Sequence, residues 1–217
     1  MSLLNLIKDT IFPIHCLDCN IEGQWLCDDC KKKIELNYNT QTAVGNLKSL
    51  TAFFVYDEKT IIGELIKLFK YNYVKELEDE IEKILNISKI VISSGAVAES
   101  RNLSIIPVPL HVRRKRERGF NQAEILANIF NRKFKLGVVK NNLLQRKKYT
   151  SQQAKLKKED RIKNLQNAFV INPKESIPKN ILLVDDVYTT GATMQECASV
   201  LYQAGSQSVQ GMVLARG

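Results

Sequence analysis

The chain has 217 residues, of which 44% are hydrophobic and 25% are charged. This composition supports one large domain, alone or with a small appended module, and it excludes an intrinsically disordered chain. The formal net charge is +9, and no apolar run approaches the roughly 20 residues that a transmembrane helix needs.

Residues 1–15, MSLLNLIKDTIFPIH, mix apolar side chains with the charges of Lys8 and Asp9. These charges interrupt the apolar run, and no cleavage site of small residues follows it. We therefore expect a short amphipathic helix here, not a signal peptide, and a cytoplasmic location for the protein.

Four of the five cysteines follow in the pattern Cys-x2-Cys, seven residues, Cys-x2-Cys. They are Cys16, Cys19, Cys27 and Cys30. Two such pairs supply the four thiolates of a tetrahedral structural zinc site. A segment this short has too small a core to fold unaided, so metal binding would stabilise it. Two disulfides or unconnected thiols are the alternatives, which a reducing compartment and the paired spacing respectively disfavour.

From residue 49 onward, apolar runs typical of strands alternate with helical periodicity. Strands are predicted at 51–57, 103–109, 138–144, 168–171, 181–186 and 208–215, and helices at 60–87, 121–135 and 190–204. Tyr71-Asn72-Tyr73 is a point where the first helix could bend, and Asn121 could cap the second. This alternation predicts an α/β domain over 49–217 with a largely parallel sheet, preceded by the cysteine module at 1–48.

Positive charge is concentrated between residues 111 and 163. This stretch has 17 lysines and arginines against four acidic residues, an excess of 13. Such a concentration favours an anionic partner, which could be nucleic acid, a phosphorylated metabolite or a membrane surface. A merely solvated surface is the alternative interpretation.

The stretch ILLVDDVYTTGAT, residues 181–193, combines a buried strand with two carboxylates and a turn rich in hydroxyls. Ligands of α/β sheets bind beyond the carboxyl ends of strands, where Asp185 and Asp186 emerge. The backbone N–H groups of a following helix favour phosphate, and Gly191 allows close approach. Carboxylates beside an anion suit sugar hydroxyls or Mg²⁺. The stretch therefore predicts a site for a phosphorylated sugar bound with a metal ion; a capped turn without ligand is the alternative.

This stretch closely resembles the phosphoribosyl pyrophosphate (PRPP) motif of type I phosphoribosyltransferases. Together with the paired cysteines, IPVPLHVRRKRERGFNQAEILA (106–127) and SQQAKLKKEDRIKNLQNAF (151–169) resemble the ComF family of bacterial proteins. The resemblance covers nearly the whole chain, and Arg-Gly-Phe-Asn-Gln at 118–122 is its most specific part. It implies a type I phosphoribosyltransferase-like parallel sheet flanked by helices, with an N-terminal zinc module.

The resemblance also implies roles for individual residues. Asp185 and Asp186 would be catalytic and face the ribose hydroxyls, and the 5′-phosphate would be held by Thr189, Thr190, Gly191, Ala192 and Thr193. Residues 109–114 would form a pyrophosphate-contacting loop, and 148–166 a hood that closes over the site. Contacts to pyrophosphate or nucleic acid would come from Arg113, Arg114, Lys115, Arg116, Arg118 and Arg161.

One residue of the predicted phosphate loop departs from the pattern of type I phosphoribosyltransferases. Ala192 stands where many transferases have a second glycine, and we expect it to be tolerated.

A reaction would displace pyrophosphate at the ribose anomeric carbon, helped by Mg²⁺ and the arginines. His111 is the nearest candidate base, but we expect a structural role for it. Cys197 is expected in the core.

Three functions remain open at this stage. The family is associated with natural transformation, which implies a protein that binds single-stranded DNA, with PRPP as regulator or substrate and competence-machinery proteins as possible partners. The alternatives are a salvage-type phosphoribosyltransferase acting on a nitrogenous base, and a binding module with a vestigial site. Aromatic side chains that could stack on bases are few in the basic stretch: Phe120, Phe130, Phe134 and Tyr149. Of these, Phe130 and Phe134 are expected in the core.

Overall fold

The computed structural model of the chain describes residues 13–71, 76–86, 103–149 and 165–217. The chain forms two compact units, one comprising Met1–Leu36 with Asp57–Ile90 and the other Asn37–Tyr56 with Val91–Gly217. Each unit is thus assembled from two separate stretches of sequence. The predicted boundary after residue 48 stays a prediction, and the helix predicted over 1–15 lies mostly outside the described residues. Within the described ranges, no helix is both long enough and apolar enough to cross a membrane.

The first unit contains three described helices: α1 (Asp28–Lys32), α2 (Ile61–Tyr71) and α3 (Glu76–Asn86). Helical residues are described over Ile61–Tyr71 and Glu76–Asn86, within the helix predicted over 60–87. Most of the predicted bend at 71–73 lies outside the described residues. Apolar residues recur every four positions along this stretch, and those of them that are described, Leu65, Phe69, Leu77 and Ile81, are all inaccessible to solvent.

The second unit is built on a six-stranded sheet with the order β1-β2-β8-β7-β3-β4. Its strands are β1 (Asn39–Val44), β2 (Leu47–Val55), β3 (Leu103–Pro107), β4 (Gly137–Val139), β7 (Asn180–Tyr188) and β8 (Ser208–Arg216). The β1–β2 pair is antiparallel, and all other neighbours are parallel. A separate antiparallel pair is formed by β5 (Leu144–Arg146) and β6 (Phe169–Ile171). The predicted α/β class with a largely parallel sheet is confirmed.

Helices cover both faces of this sheet. On one face, α5 (Gln122–Phe134) packs on β2, with the rings of Phe53 and Phe130 5.1 Å apart. Ala52 is next to Phe53 in the strand and therefore points to the opposite face, where it shares a buried cluster with Cys197 of α6 (Ala192–Gln203). Asn121 caps α5 as predicted, because its side chain accepts a hydrogen bond from the Ala123 N–H.

Two helices and one strand were not predicted, and the strand predicted over 138–144 is divided between β4 and β5, which belong to different sheets. The first of the two helices is the short α1. α4 (Val112–Arg118) has no buried residue and hence no apolar periodicity, so Arg113 and Arg114 lie in a helix where a loop was expected. β1 is an edge strand with mostly exposed polar side chains. The predicted hood lies outside the described residues except at its ends, and so does Arg161.

Candidate functional site

Three elements meet at the carboxyl edge of the sheet. β3 and β7 are neighbouring parallel strands, so their carboxyl ends lie at the same edge. After β3 the chain reaches His111 at the start of α4, and after β7 it turns into α6. The β5–β6 pair also reaches this edge, because Arg146 forms an isolated parallel bridge with His111. The structure therefore brings together the predicted aspartates, the predicted phosphate loop and the start of the basic stretch.

The turn from β7 into α6 has the conformation that the sequence predicted. Gly191 is the N-cap of α6 and has φ +74°, in the left-handed region that favours glycine. It has no side chain to cap the helix, and the first N–H groups of a helix have no partner within it. These donors and the positive end of the helix dipole are suited to an anion. Ala192 begins the helix itself, so its position does not require glycine.

Tyr188 and Gln195 stabilise this turn by packing and hydrogen bonding. A Cβ atom at Gly191 would lie 2.1 Å from the Tyr188 hydroxyl, so the turn packs directly on the Tyr188 ring. The Gln195 side-chain amide donates to that hydroxyl (3.1 Å) and to the carbonyl of Val44 (2.8 Å). Its oxygen accepts from the Asn46 N–H at 2.5 Å. Gln195 thus joins the β1–β2 hairpin to the turn, a role without any signal in the sequence.

The two aspartates do not occupy equivalent positions. A small pocket at the end of β7 is lined by Asp185 and by residues 187–194, which include the five predicted phosphate-loop residues. Asp186 is 4% exposed and does not line this pocket. Because side chains alternate along a strand, it points to the face opposite Asp185. The Asp185 carboxylate also accepts a hydrogen bond from the Asp186 N–H (2.9 Å). Asp185 is therefore the carboxylate placed to contact a ligand or a cation in the pocket.

Arg146 is a candidate site residue that the sequence analysis missed. Its guanidinium lies 5.3 Å from the centre of the Phe169 ring, and the residue is partly buried, with its Nε atom inaccessible to solvent. Burial lowers the pKa of Arg146, and the nearby positive charge of Arg114 lowers it further, whereas Cys197 and Asp185 act in the opposite direction. Arg146 thus places positive charge near Asp185, and Arg114 adds a second positive charge near Arg146. Only a run of Arg-Lys-Lys marks this position in the sequence, and nothing there indicates burial.

The other predicted basic residues lie on α4, and several already contact acidic or polar side chains. Arg113 pairs with Glu117 (3.0 Å) and Lys115 with Glu124 (2.8 Å). Arg118 donates to Gln122 (3.1 Å), while Arg116 is exposed. His111 caps the helix, since its Nδ1 accepts from the Arg113 N–H at 3.2 Å. This contact agrees with the structural role that we expected for His111.

The four predicted zinc ligands come together in the first unit. Their Sγ atoms all lie within 4.8 Å of one another, and those of Cys19 and Cys27 are 3.6 Å apart. Four sulfurs around one zinc ion, each about 2.3 Å from it, would be about 3.8 Å apart. Backbone N–H groups of Cys27 and Cys30 point at the sulfurs of Cys16 and Cys27, both at 3.4 Å. The cluster could therefore hold a metal ion.

The ionisation of these thiols supports the same conclusion. Burial opposes ionisation of Cys16, but backbone N–H groups of Asp18, Cys19 and Cys27 lower its pKa to about 6. Burial and the neighbouring thiols raise the pKa of Cys30 above its usual range. Four thiols this close cannot all ionise beside one another without a compensating cation. A bound divalent ion would supply that charge.

The chain is similar in sequence to several named bacterial proteins. No protein-family model matches it. It is 30% identical to "Competence protein F" of Haemophilus influenzae, over 94% of this chain and 98% of that protein. It is 31% identical to "Competence protein ComFC" of Bacillus subtilis, over 75% of this chain and 62% of that protein. It is also 30% identical to "DNA utilization protein YhgH" of Escherichia coli, over 75% and 70% of the two chains. The resemblance predicted from the sequence is thus confirmed, and the chain belongs to the ComF family.

Proposed function

We propose that the protein acts in DNA uptake during natural transformation, where it binds PRPP with Mg²⁺ and handles single-stranded DNA in the cytoplasm. Relatives named for competence and for DNA utilization support the process. The observation that carries the ligand assignment is the pocket lined by Asp185 and residues 187–194 at the start of α6.

The residues around this pocket offer a partner for each group of PRPP. Its 5′-phosphate would accept hydrogen bonds from the backbone N–H groups and threonine hydroxyls of residues 189–193. The ribose hydroxyls would donate to Asp185, whose carboxylate lines the same pocket. The pyrophosphate would extend toward Arg146, whose positive charge lies near Asp185, and toward Arg114, which lies near Arg146.

A transferase reaction at this site would form a bond from the anomeric carbon to an acceptor and break the bond to pyrophosphate. Mg²⁺, held by the carboxylate of Asp185 and by ligand oxygens, would neutralise the charge that develops on the leaving group. Arg146 would stabilise the same charge from a partly buried position, where an electrostatic interaction is stronger than in water. The side chains at the carboxyl edge of the sheet would therefore position PRPP and bind the pyrophosphate that leaves.

We assign zinc to the four cysteines. Four thiolates, three of them buried, form the ligand set of a closed structural zinc site without an open coordination position. Such a site would stabilise the first unit and take no part in a reaction.

Calorimetry with PRPP tests the assigned pocket. The wild type should bind PRPP in the presence of Mg²⁺, and the double variant Asp185→Asn, Asp186→Asn should lose binding. Asp185→Asn alone should weaken binding by about 10- to 100-fold, because hydrogen bonds to charged groups are strong, and Asp186→Asn should weaken it less. Asp29→Asn, at an exposed position of α1, is the control. Equal affinity of the double variant and the wild type would rule out the assignment.

The salt dependence of binding tests the nucleic-acid part of the proposal. Replacing Arg113 and Arg116 by glutamine should reduce the slope of log affinity against log salt by about 1.4, since each lost contact to a single strand removes about 0.7. Replacing Lys174 and Lys179 by glutamine changes the net charge equally and should leave the slope unchanged. If the wild type binds no single-stranded DNA below about 100 μM at low salt, weaker than ordinary non-specific binding, this part fails. A salvage-type phosphoribosyltransferase acting on a free base would then be the favoured function.

A further inference from the structure

Tyr149 is an aromatic side chain at the edge of the sheet that the proposed function leaves without a role. It lies three residues beyond the end of β5 and is 41% exposed. The other aromatic residues predicted as stacking candidates are less exposed, and Phe130 is fully buried. Tyr149 is therefore the one exposed ring among the four candidates.

The first turn of α4 places three side chains around this ring. The guanidinium carbon of Arg113 lies 4.8 Å from the ring centre, and that of Arg114 lies 5.9 Å from it. The His111 ring meets it edge-on, with the centres 5.2 Å apart. Arg113 also forms an exposed ion pair with Glu117, and His111 makes the helix-capping hydrogen bond. The ring is thus supported on the protein side while a large part of its surface faces solvent.

This combination identifies the chemistry of a ligand. A phosphate alone would be bound by the two guanidinium groups and would not need an exposed ring. An apolar protein surface could pack on the ring but would be disfavoured by the two charged guanidinium groups beside it. A nucleobase uses both, because it stacks on an aromatic ring while the attached phosphates contact arginine. The ring also follows Arg146 in sequence, and Arg146 lies near Asp185 in the proposed PRPP pocket.

We propose that Tyr149 is a stacking platform for a nucleobase, with Arg113 and Arg114 contacting the adjoining phosphate where one is present. This inference rests on the proposed function and specifies its partner. The base could belong to single-stranded DNA, or it could be a free base that serves as acceptor for phosphoribose. Both sources present the same planar ring to Tyr149.

Oligonucleotides with and without bases test the platform. We compare a thymidine oligonucleotide of about 15 nucleotides, long enough for such a site, with an abasic strand of the same length. Tyr149→Leu should weaken binding of the thymidine strand by about 5- to 150-fold and leave binding of the abasic strand unchanged, because one stacking contact is lost. Tyr149→Phe, which keeps the ring, should bind both strands as the wild type does. Tyr71→Leu removes an exposed tyrosine (63% accessible) from the first unit and is the control.

The outcomes separate this inference from the proposed function. If the wild type binds the thymidine strand with a steep salt dependence but Tyr149→Leu binds it equally well, the platform on DNA is excluded and the proposed function stands. If the wild type binds neither strand at low salt, DNA binding itself fails.

Free bases form the second arm. Adenine, hypoxanthine, cytosine and uracil are titrated into the wild type saturated with Mg²⁺ and PRPP. Binding of one base that Tyr149→Leu loses and Tyr149→Phe retains would assign the platform to an acceptor base, even where DNA binding has failed. If no base binds, and no strand distinguishes the wild type from Tyr149→Leu, the inference is overturned.

Discussion

The cysteine cluster and the turn from β7 into α6 are held in place by different means. Around the cysteines, the buried apolar cluster of the described residues consists of Cys16, Cys27 and Cys30, with Ile61 packed against it. Around the turn, Tyr188 and Met194 belong to a large buried cluster drawn from the sheet and its helices. Removing the ligand should therefore affect the two sites differently: the cysteine cluster would lose its main source of stability, whereas the turn would keep its shape without PRPP.

Metal removal should have the largest effect, because it should destabilise the cysteine cluster and leave the turn unchanged. Chelation, or the variant Cys27→Ser, should abolish metal binding and unfold residues 13–36, because structural zinc contributes about 10–16 kcal/mol to modules of this kind. The second unit should keep its sheet. Elemental analysis would measure the metal, and hydrogen exchange would follow the two units separately.

Cys197→Ser is the control for that experiment, since Cys197 is fully buried but distant in sequence from the cluster. It should retain one metal ion per chain. A wild type purified with far less than one zinc per chain, or a cluster that stays protected after chelation, would contradict the proposed role of the metal.

Replacement of Gly191 should have the next largest effect, this time on the turn. Gly191→Ala places a methyl group 2.1 Å from the Tyr188 hydroxyl at a backbone φ of +74°. Backbone strain and overpacking together should lower the free energy of unfolding by about 2–5 kcal/mol and abolish PRPP binding. Thermal denaturation and calorimetry would measure the two effects.

Gly119→Ala separates the two causes. Gly119 has a similar φ of +80°, but nothing lies within 4 Å of the added methyl group. It should therefore show only the backbone contribution, about 1–2 kcal/mol. Equal destabilisation by the two variants would mean that the packing of the turn on Tyr188 is unimportant.

A pair of lysines in the first unit should give the smallest effects and show what holds that unit besides a metal. Lys31 lies 3.0 Å from Glu80 with both side chains nearly buried, at 12% and 8% exposure, so it joins α1 to α3. Lys31→Met should destabilise the unit by up to about 3 kcal/mol, because Lys83 would then be the one ion-pair partner of Glu80 among the described residues. Lys32 forms an equally short but exposed pair with Asp29, and Lys32→Met should change the stability by less than about 1 kcal/mol.

Urea unfolding followed by fluorescence would measure both lysine variants, since Trp25 in this unit is the single tryptophan of the chain. Similar midpoints for Lys31→Met and Lys32→Met would show that burial does not strengthen the Lys31–Glu80 pair.

The parts of the molecule that were predictable are those with local sequence signals. The apolar run before Asp185 and the glycine at 191 indicate a strand and a tight turn from neighbouring residues alone, and the structure has both. The spacing of the paired cysteines likewise predicted that their four sulfur atoms lie close together, as they do. Helix α4 escaped prediction because it buries no residue.

Contacts between distant parts of the sequence were not predictable from such signals. The partial burial of Arg146 depends on the pairing of β5 with β6, which are joined by more than twenty residues. Side chains alternate along β7, so the sequence does indicate that Asp185 and Asp186 point to opposite faces, but no local signal indicates which of the two faces carries the pocket. The first unit combines the cysteine segment with helices beyond β2, an arrangement that no local pattern indicates.

The position of β8 in the middle of the sheet has a consequence for biosynthesis. β2 pairs with β8 in parallel, and the Asn46 N–H bonds to Gln195, 149 residues away. During translation, β2 therefore cannot pair with β8 until almost the whole described chain has been synthesised. All four cysteines, by contrast, lie within 15 consecutive residues, from Cys16 to Cys30, and emerge early. Long-range pairings also form slowly after release. Metal capture can thus occur during translation, whereas the pocket at the end of β7 is completed only after translation of the last strand.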